Sequence, residues 1–413
     1  MRTFIKILIC LLFLAGPVAA KDNFQLGNDA FGRGDYNKAI EFYRLVVDDK
    51  STFGSYVNMG HCYMQLERWN QAASAYEQAI QIKPDAVTGE ILRSLGRARF
   101  EERQYNKAMD AYLKASSLEP ENGQGNIWIA RCMIEIEQWI QAQSVLLAQL
   151  RSEPGNTVTL ELLAYVYNQQ NNWPGIIDIY RQLLAIVPER TAYRISLAKA
   201  LTVQGQKQQA IDMLEFARRV DFNSSEQSDR LLADLYLAED MPLEAAGCYA
   251  RIVRILDKPS AEDFYRLGLT YFKIGDSTSA EEAFSNMQQA NPSDFKADLY
   301  LGQVIAETGR LDKAQAHYNS AVKKNPASAE ALVALADLQI KNMNYTEAAG
   351  NFAKAIMLGD NRPQVHYNYI LALMNDNDEM SIKAALKTAI AEHPSDEQLN
   401  RLLDQYIKQI ASG

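Results

Sequence analysis

Apolar and small residues recur at helical spacing along this 413-residue chain. Within residues 53–86 two stripes of such residues follow one another. The first stripe consists of Tyr56, Met59, Gly60, Tyr63 and Met64. The second stripe consists of Ala72, Ala73, Tyr76, Ala79 and Ile80. Steps of three and four residues place each stripe on one face of a helix, so the pattern predicts two helices joined by a turn. Pro84 is expected to end the second helix, because proline lacks the amide donor and disfavours helix in the residue before it.

The same unit repeats through the chain, and its prolines show the period. They stand at positions 84, 120, 154, 188, 292, 326 and 394, so most intervals are close to 34 residues or a multiple of it. A fixed period in this range is typical of a solenoid of stacked helical pairs. Between residues 191 and 259 the prolines at the repeat positions are missing, and Phe222 and Asp257 stand there instead. Ala210 with Leu214 and Ala245 with Tyr249 nevertheless keep the phase.

The segment "NMGHCYMQLERWNQAASAYEQAIQIKP" resembles the tetratricopeptide repeat family in its order of small, aromatic, small, aromatic, small and proline residues. The resemblance covers nearly all of the chain after residue 20. It implies an all-α fold: a right-handed α-solenoid of about eleven helix-turn-helix units with a C-terminal capping helix. The first helix of each unit carries a small residue, such as Gly60, and the second helix carries an aromatic packing residue, such as Tyr76.

These assignments divide the chain into four parts. We expect a signal peptide at 1–20, repeat units 1–6 at 21–224, units 7–11 at 225–396, and the capping helix with its tail at 397–413. The apolar face of the capping helix is expected to cover the last repeat. It consists of Leu399, Leu402, Leu403, Tyr406 and Ile410. Ser395 and Gln398 suggest a capping box at its start.

The first twenty residues differ from the repeats. Arg2 and Lys6 precede an apolar run, and Val18-Ala19-Ala20 supplies the small residues of a cleavage site. We expect a cleaved signal peptide and export to a bacterial periplasm, with secretion as the alternative. A membrane anchor is the competing interpretation, but the apolar run is shorter than the roughly 20 residues that a span needs.

Charge limits the partners. The formal net charge is −9. Loss of residues 1–20 removes two basic residues and leaves 40 Lys and Arg against 51 Asp and Glu, a net charge of −11. An acidic chain without a basic run is not expected to bind nucleic acid, and no later stretch is expected to insert into a membrane.

The sequence contains no recognisable catalytic constellation. Cys62, Cys132 and Cys248 read as packing residues, because three distant cysteines form neither a disulfide framework nor a zinc motif. The four histidines are expected to lie scattered over different units. We therefore predict no enzymatic activity, no cofactor and no metal.

The family resemblance also suggests a binding face. In related proteins the first helices line a concave groove that holds peptides or helices of partner proteins. The residue after the small position of each unit, with Arg93 one turn before Arg97, supplies the candidate set. It consists of Asn28, His61, Arg93, Arg97, Arg131, Tyr165 and Lys199. In later units the same position is acidic, polar or apolar, with Asp234, Leu269, Gln303, Asp337 and Leu371.

Two interpretations of these charges stay open. Arginine can bind a carboxylate through two hydrogen bonds, so Arg93, Arg97 and Arg131 suggest an acidic protein or peptide partner. Alternatively, charges on exposed helix faces vary without any function.

The function we favour is an exported scaffold that binds proteins or peptides in its concave groove and assembles a multiprotein complex. One alternative is a soluble accessory subunit for export or assembly of an envelope polymer or an outer-membrane protein. A second, remoter alternative is an enzyme that binds small molecules inside the superhelix.

Overall fold

The computed structural model describes residues 16–46, 49–120, 124–220, 225–376 and 379–412. Within these ranges every regular element is a helix and no residue lies in a strand, which confirms the all-α prediction. Residues 1–15, most of the expected signal peptide, lie outside the described ranges, and residues 16–20 belong to the first described helix. None of the described helices combines the length and the apolar character that a membrane crossing requires.

The chain forms two compact units, residues 1–206 and 207–413. The described helices of the first unit are α1 (Gly16–Gly32), α2 (Tyr36–Arg44), α3 (Asp49–Gln65), α4 (Trp69–Ile82), α5 (Gly89–Glu101), α6 (Tyr105–Leu118), α7 (Gln124–Glu135), α8 (Trp139–Ser152), α9 (Thr157–Gln169), α10 (Trp173–Ile186) and α11 (Thr191–Val203). A short 3-10 turn, Pro84–Ala86, follows α4.

The described helices of the second unit are α12 (Lys207–Val220), α13 (Ser225–Ala238), α14 (Pro242–Ile255), α15 (Ala261–Ile274), α16 (Ser277–Ala290), α17 (Phe295–Glu307), α18 (Leu311–Lys324), α19 (Ala329–Lys341), α20 (Tyr345–Met357), α21 (Pro363–Asp376), α22 (Glu379–Glu392) and α23 (Glu397–Ser412). Over the described chain the helices thus follow the order of eleven consecutive pairs and one final helix. The predicted grouping into 21–224 and 225–396 stays a prediction.

Tight turns join the two helices of a pair. A residue with positive φ stands in these turns, as at Gly34 (78°) and Gly275 (86°), where glycine adopts this conformation without a steric cost. Glu67 (55°) and Arg103 (59°) adopt it at the corresponding places in other repeats. Turns of this length make the helices of a pair antiparallel neighbours.

In five repeats the small residue of the first helix is a glycine that packs against an aromatic ring sixteen positions later in the second helix. A methyl group added at Gly60 would lie 2.5 Å from ring carbon Cε1 of Tyr76, and one added at Gly302 would lie equally close to Tyr318. Tyr76 and Tyr318 are buried. The helices of a pair therefore approach closely where glycine leaves room for the ring, as the repeat pattern predicts.

Helix α23 covers the last repeat, as predicted. Leu399, Leu402 and Tyr406 are buried in one cluster with residues of α21 and α22. The expected capping box is wrong, because Asp396, not Ser395, accepts the hydrogen bond from the Leu399 amide at 2.9 Å. The helix accordingly begins at Glu397, one residue later than Ser395 would require.

Buried polar contacts join neighbouring repeats of the second unit. The Asp298 carboxylate on α17 is 2% exposed. It accepts a hydrogen bond from Gln288 on α16 at 2.7 Å and forms an ion pair with Lys324 on α18 at 2.5 Å, and His317 Nδ1 on α18 lies 3.2 Å from it. A buried carboxylate needs such partners, since an unpaired charge is costly away from water.

The three cysteines of the repeats are buried, and none of them forms a disulfide. Burial raises the pKa of Cys62, Cys132 and Cys248 to about 12 in each case. Their thiols are thus protonated near neutral pH, which fits the predicted role as small packing residues.

Candidate functional site

In three repeats the residue after the small position contacts the tyrosine hydroxyl of the second helix. The Tyr43 hydroxyl donates to Asn28 Oδ1 at 2.8 Å, and the Tyr249 hydroxyl donates to Asp234 Oδ1 at 3.2 Å. The Tyr76 hydroxyl lies 2.9 Å from His61 Nδ1. In these repeats the candidate binding residue therefore sits at the end of a buried tyrosine, and its polar group satisfies the phenol.

At the first repeat a side chain of the second repeat, Asn58, also hydrogen-bonds to both of these groups. Asn58 Nδ2 donates to Asn28 Oδ1 at 3.1 Å and to the Tyr43 hydroxyl at 3.3 Å. Burial raises the pKa of Tyr43 to about 12. Asn28 thus takes part in a network that joins two repeats, and its side-chain oxygen is already engaged.

The third and fourth repeats differ from the first two. Arg97 stands where Asn28 and His61 stand in their repeats, and it is exposed. The Tyr112 hydroxyl below this position is buried and, among the described residues, has no hydrogen-bond partner. Burial raises the pKa of Tyr112. The negative charge of Glu101 acts in the same direction, and the positive charges of Arg97 and Arg131 act against it. Arg97 adjoins Gly96, where an added methyl group would lie 2.9 Å from the Tyr112 ring.

Trp128 completes this group of side chains. Its ring stacks on Tyr112 with centroids 5.6 Å apart and an interplanar angle of 12°. The Arg131 guanidinium lies over the Trp128 ring, 5.0 Å from its centroid, and its buried Nε has no hydrogen-bond partner among the described residues. We call Arg97, Arg131, Tyr112 and Trp128 the arginine cluster. Its two cations and one phenol hydroxyl can donate hydrogen bonds to a ligand's oxygen atoms.

Arg93 is less available to a ligand than Arg97 and Arg131 are. Its Nη1 forms a 2.5 Å ion pair with Glu119, which follows the second helix of the same repeat, and its side chain is 22% exposed. Arg93 therefore ties the start of α5 to the end of α6. The sequence alone grouped it with Arg97 because one helical turn separates them.

Tyr165 and Lys199 line one cavity of about 400 Å³ in the first unit. Glu161, Asn168 and Trp173 also line it. Tyr165 is 48% exposed and its ring meets Trp139 edge-on at 6.3 Å. A cavity of this size suits a side chain or a short peptide segment.

A similar cavity of about 410 Å³ lies in the second unit, lined by Gln303, Asp337 and Lys341. Burial raises the pKa of Asp337, against the effect of a hydrogen bond from Asn368. Sequence reasoning named Gln303 and Asp337 but missed Glu161, Asn168 and Lys341. These residues stand one turn from the named positions, so an extension of the pattern by three or four residues would have found them.

His61 makes the stability of the first unit depend on pH. Burial lowers the pKa of His61, and the charge of Glu90 acts in the opposite direction. The unfolded chain then binds this proton more readily, so the stability is present above the ordinary histidine pKa of about 6.5 and is lost as the pH falls below it.

We expect the wild type to lose more unfolding free energy than His61→Gln between pH about 7.5 and about 5. Glutamine keeps an acceptor for the Tyr76 hydroxyl but does not titrate. Denaturant unfolding of both proteins over this range measures the difference. Parallel pH curves for the two proteins would contradict the prediction.

The expected scattering of histidines is wrong for the last two. His366 and His393 both belong to the last helical pair, with ring centroids 5.5 Å apart. The start of α21 adjoins the end of α22 because the pair is antiparallel.

The chain is similar to curated repeat proteins over most of its length. Tetratricopeptide repeat protein 16 of Macaca fascicularis is 21% identical over 462 residues, and the human protein of that name is 20% identical over the same length. Each alignment covers 95% of this chain and 52% of the relative. The chain thus spans about half the length of these curated relatives. Among solved structures, the APC/C hetero-tetramer Cut9-Hcn1 is 13% identical, with 96% of this chain and 97% of that chain covered and a TM-score of 0.39.

Two family models match the sequence. One describes the C-terminal tetratricopeptide repeat domain of cilia and flagella-associated protein 70 and matches residues 12–231. The other describes the tetratricopeptide repeat itself and matches residues 265–329 and 306–366. Since the first model covers more than half of the 413 residues and the second covers repeats beyond it, the chain belongs to the tetratricopeptide repeat family.

Proposed function

We propose that the chain is an exported scaffold that holds an acidic segment of a partner protein on its first helices and thereby assembles a multiprotein complex. A scaffold of this repeat type is suited to protein binding. The observation that carries the acidic specificity is the Tyr112 hydroxyl, which is buried and has no hydrogen-bond partner within the described residues. Arg97 adjoins Gly96, which packs on the Tyr112 ring, and Arg131 lies over Trp128, which stacks on that ring.

The energetic argument rests on what binding would restore. A buried hydroxyl that makes no hydrogen bond costs roughly 1–3 kcal/mol. A carboxylate that binds at the arginine cluster and displaces the side chains over Tyr112 accepts hydrogen bonds from this hydroxyl and from the two guanidinium groups. Binding then removes a penalty that the unbound protein carries, in addition to the attraction between opposite charges.

We also propose that the chain acts without catalysis. Proteins of this repeat family are generally scaffolds and not enzymes. Export through the N-terminal segment to the periplasm, or its secretion, belongs to the same proposal. The alternative of a soluble accessory subunit in envelope export or assembly differs in the identity of the partner, so one partner-identifying experiment separates the two.

Photo-crosslinking in cells tests the binding face. Tyr165 and Leu113 are about equally exposed, at 48% and 47%, but Tyr165 stands on a first helix and Leu113 on a second helix. We expect benzoylphenylalanine at position 165 to link the chain to a defined partner protein, and the same group at position 113 to give no such product. The matched exposure ensures that access to solvent does not explain the difference.

Mass spectrometry of the product identifies the partner and the linked peptide. We expect aspartate or glutamate near the linked residue. Crosslinking at 113 alone, or at neither position, would contradict a binding face on the first helices. A linked peptide without acidic residues would contradict the acidic specificity only.

A further inference from the structure

Four side chains that can bind a metal meet at one end of the last repeat. Asn361 precedes α21 and His366 lies in its first turns, while Glu392 ends α22 and His393 follows it. His366 is 2% exposed, whereas Asn361 and Glu392 are exposed. The group is therefore anchored in the protein on one side and open to solvent on the other.

The distances within this group match the spacing of ligands around a metal. His366 Nε2 lies 3.1 Å from Asn361 Oδ1 and 3.2 Å from Glu392 Oε2. His393 Nε2 lies 3.2 Å from the same Asn361 oxygen. One ligand atom from each of His366, Glu392 and His393 lies within 4.8 Å of the other two. Tetrahedral zinc, with ligands at about 2.0–2.2 Å, requires ligand atoms about 3.3 Å apart.

The types of ligand narrow the choice of ion. Imidazole nitrogens suit zinc, copper and nickel, whereas magnesium and calcium prefer oxygen ligands only. Two histidines with one carboxylate form a common zinc ligand set, with one position left for water or another oxygen. We propose that His366, Glu392 and His393 bind a Zn²⁺ ion, with the Asn361 side-chain oxygen or a water as the fourth ligand. This proposal does not depend on the proposed binding of an acidic partner.

The ion has a structural consequence. Its ligands come from the start of α21 and the end of α22, which are far apart along the chain. A bound ion links these two ends of the last repeat to each other. The buried residues of the same repeat are covered by α23. Because a ligand that binds only the folded state stabilises it, zinc raises the thermal midpoint of the chain.

Calorimetric titration of the chelator-treated full chain with ZnCl₂ tests the site. We expect binding of one equivalent, and a loss of affinity of at least about tenfold in each of Glu392→Gln and His393→Ala. Glu392 is exposed, so Glu392→Gln is expected to fold normally. His61→Ala removes a histidine from the first unit and is expected to leave zinc affinity unchanged.

Melting curves with and without zinc give a second measurement. The wild type and His61→Ala are expected to gain in thermal midpoint with zinc, and Glu392→Gln and His393→Ala are expected to gain little. The absence of zinc binding by the wild type would overturn the proposal. Undiminished binding by both cluster variants would overturn it as well, because the ion would then lie elsewhere, for example at a cysteine thiol.

Discussion

Phe284→Ala is expected to lower the free energy of unfolding by about 3–5 kcal/mol. Phe284 occupies the large position of the eighth repeat and is fully buried. Its ring fills the space that Gly268 leaves, since a methyl group at Gly268 would lie 2.6 Å from the ring. It also stacks on Tyr300 of the next repeat, with centroids 5.3 Å apart.

The cost is large because one ring packs against two repeats. Alanine would leave a cavity between α15, α16 and α17, and rigid helices close such a cavity only in part. In a solenoid each repeat is stable mainly through its neighbours, so a weakened contact between the eighth and ninth repeats weakens the array.

Urea unfolding monitored by circular dichroism measures this effect. Phe284→Leu is the graded control, because Leu146, Leu214 and Leu386 stand at the same position in other repeats. It is expected to lose clearly less stability than Phe284→Ala. Met357→Ala, at a side chain that is 86% exposed, is expected to change stability by no more than about 0.5 kcal/mol. A loss below about 1 kcal/mol in Phe284→Ala would contradict the packing argument.

Most of the fold could be predicted from the periodic pattern, because such a pattern depends on spacing and not on single residues. The seventh repeat lacks its proline, yet Ala245 and Tyr249 are buried in α14 as the phase requires. Small and large residues sixteen positions apart suffice to define a pair. The missing prolines therefore did not hide a repeat.

Details that depend on one hydrogen bond were beyond the periodic pattern. Both Ser395 and Asp396 can cap a helix, and the choice between them depends on where the chain leaves the last repeat. The buried Asp298 is a similar case. A carboxylate in a helix usually faces solvent, and its burial follows from partners on α16 and α18 that only the folded chain brings together.

The candidate site, too, could be predicted from the periodic pattern only in part. The repeat register placed Asn28, His61 and Arg97 at equivalent positions, and their relation to the buried aromatic rings follows from it. Which of these side chains is free for a ligand depends on partners elsewhere. Glu119 engages Arg93, whereas nothing in the described chain forms a hydrogen bond or an ion pair with Arg97.

The pairing of His366 with His393 was within reach of the sequence. They are 27 residues apart, one near the start of a first helix and the other at the end of the matching second helix. In an antiparallel pair these two ends are neighbours. The repeat assignment therefore implies the His366–His393 pair, although the histidines were expected to be scattered.

The double variant Arg97→Gln with Arg131→Gln is expected to weaken binding of the crosslinked partner by at least about thirtyfold. A single exposed charge pair contributes little, but Arg131 is partly buried over Trp128, whose ring stacks on the buried Tyr112. Glutamine retains helix propensity and length while removing charge. The thermal midpoint is therefore expected to change little.

Arg93→Gln is the control, since it removes one positive charge from α5, the helix that also carries Arg97. Because Arg93 pairs with Glu119, we expect it to lower stability slightly and to leave partner affinity within about threefold of the wild type. Wild-type binding, measured by fluorescence anisotropy with the linked peptide, should weaken as salt rises, and the double variant should lose most of this dependence. If the double variant binds as tightly as the wild type, the arginine cluster is not the binding site. If it unfolds, the two arginines stabilise the repeats, and their charge then serves the fold and not a partner.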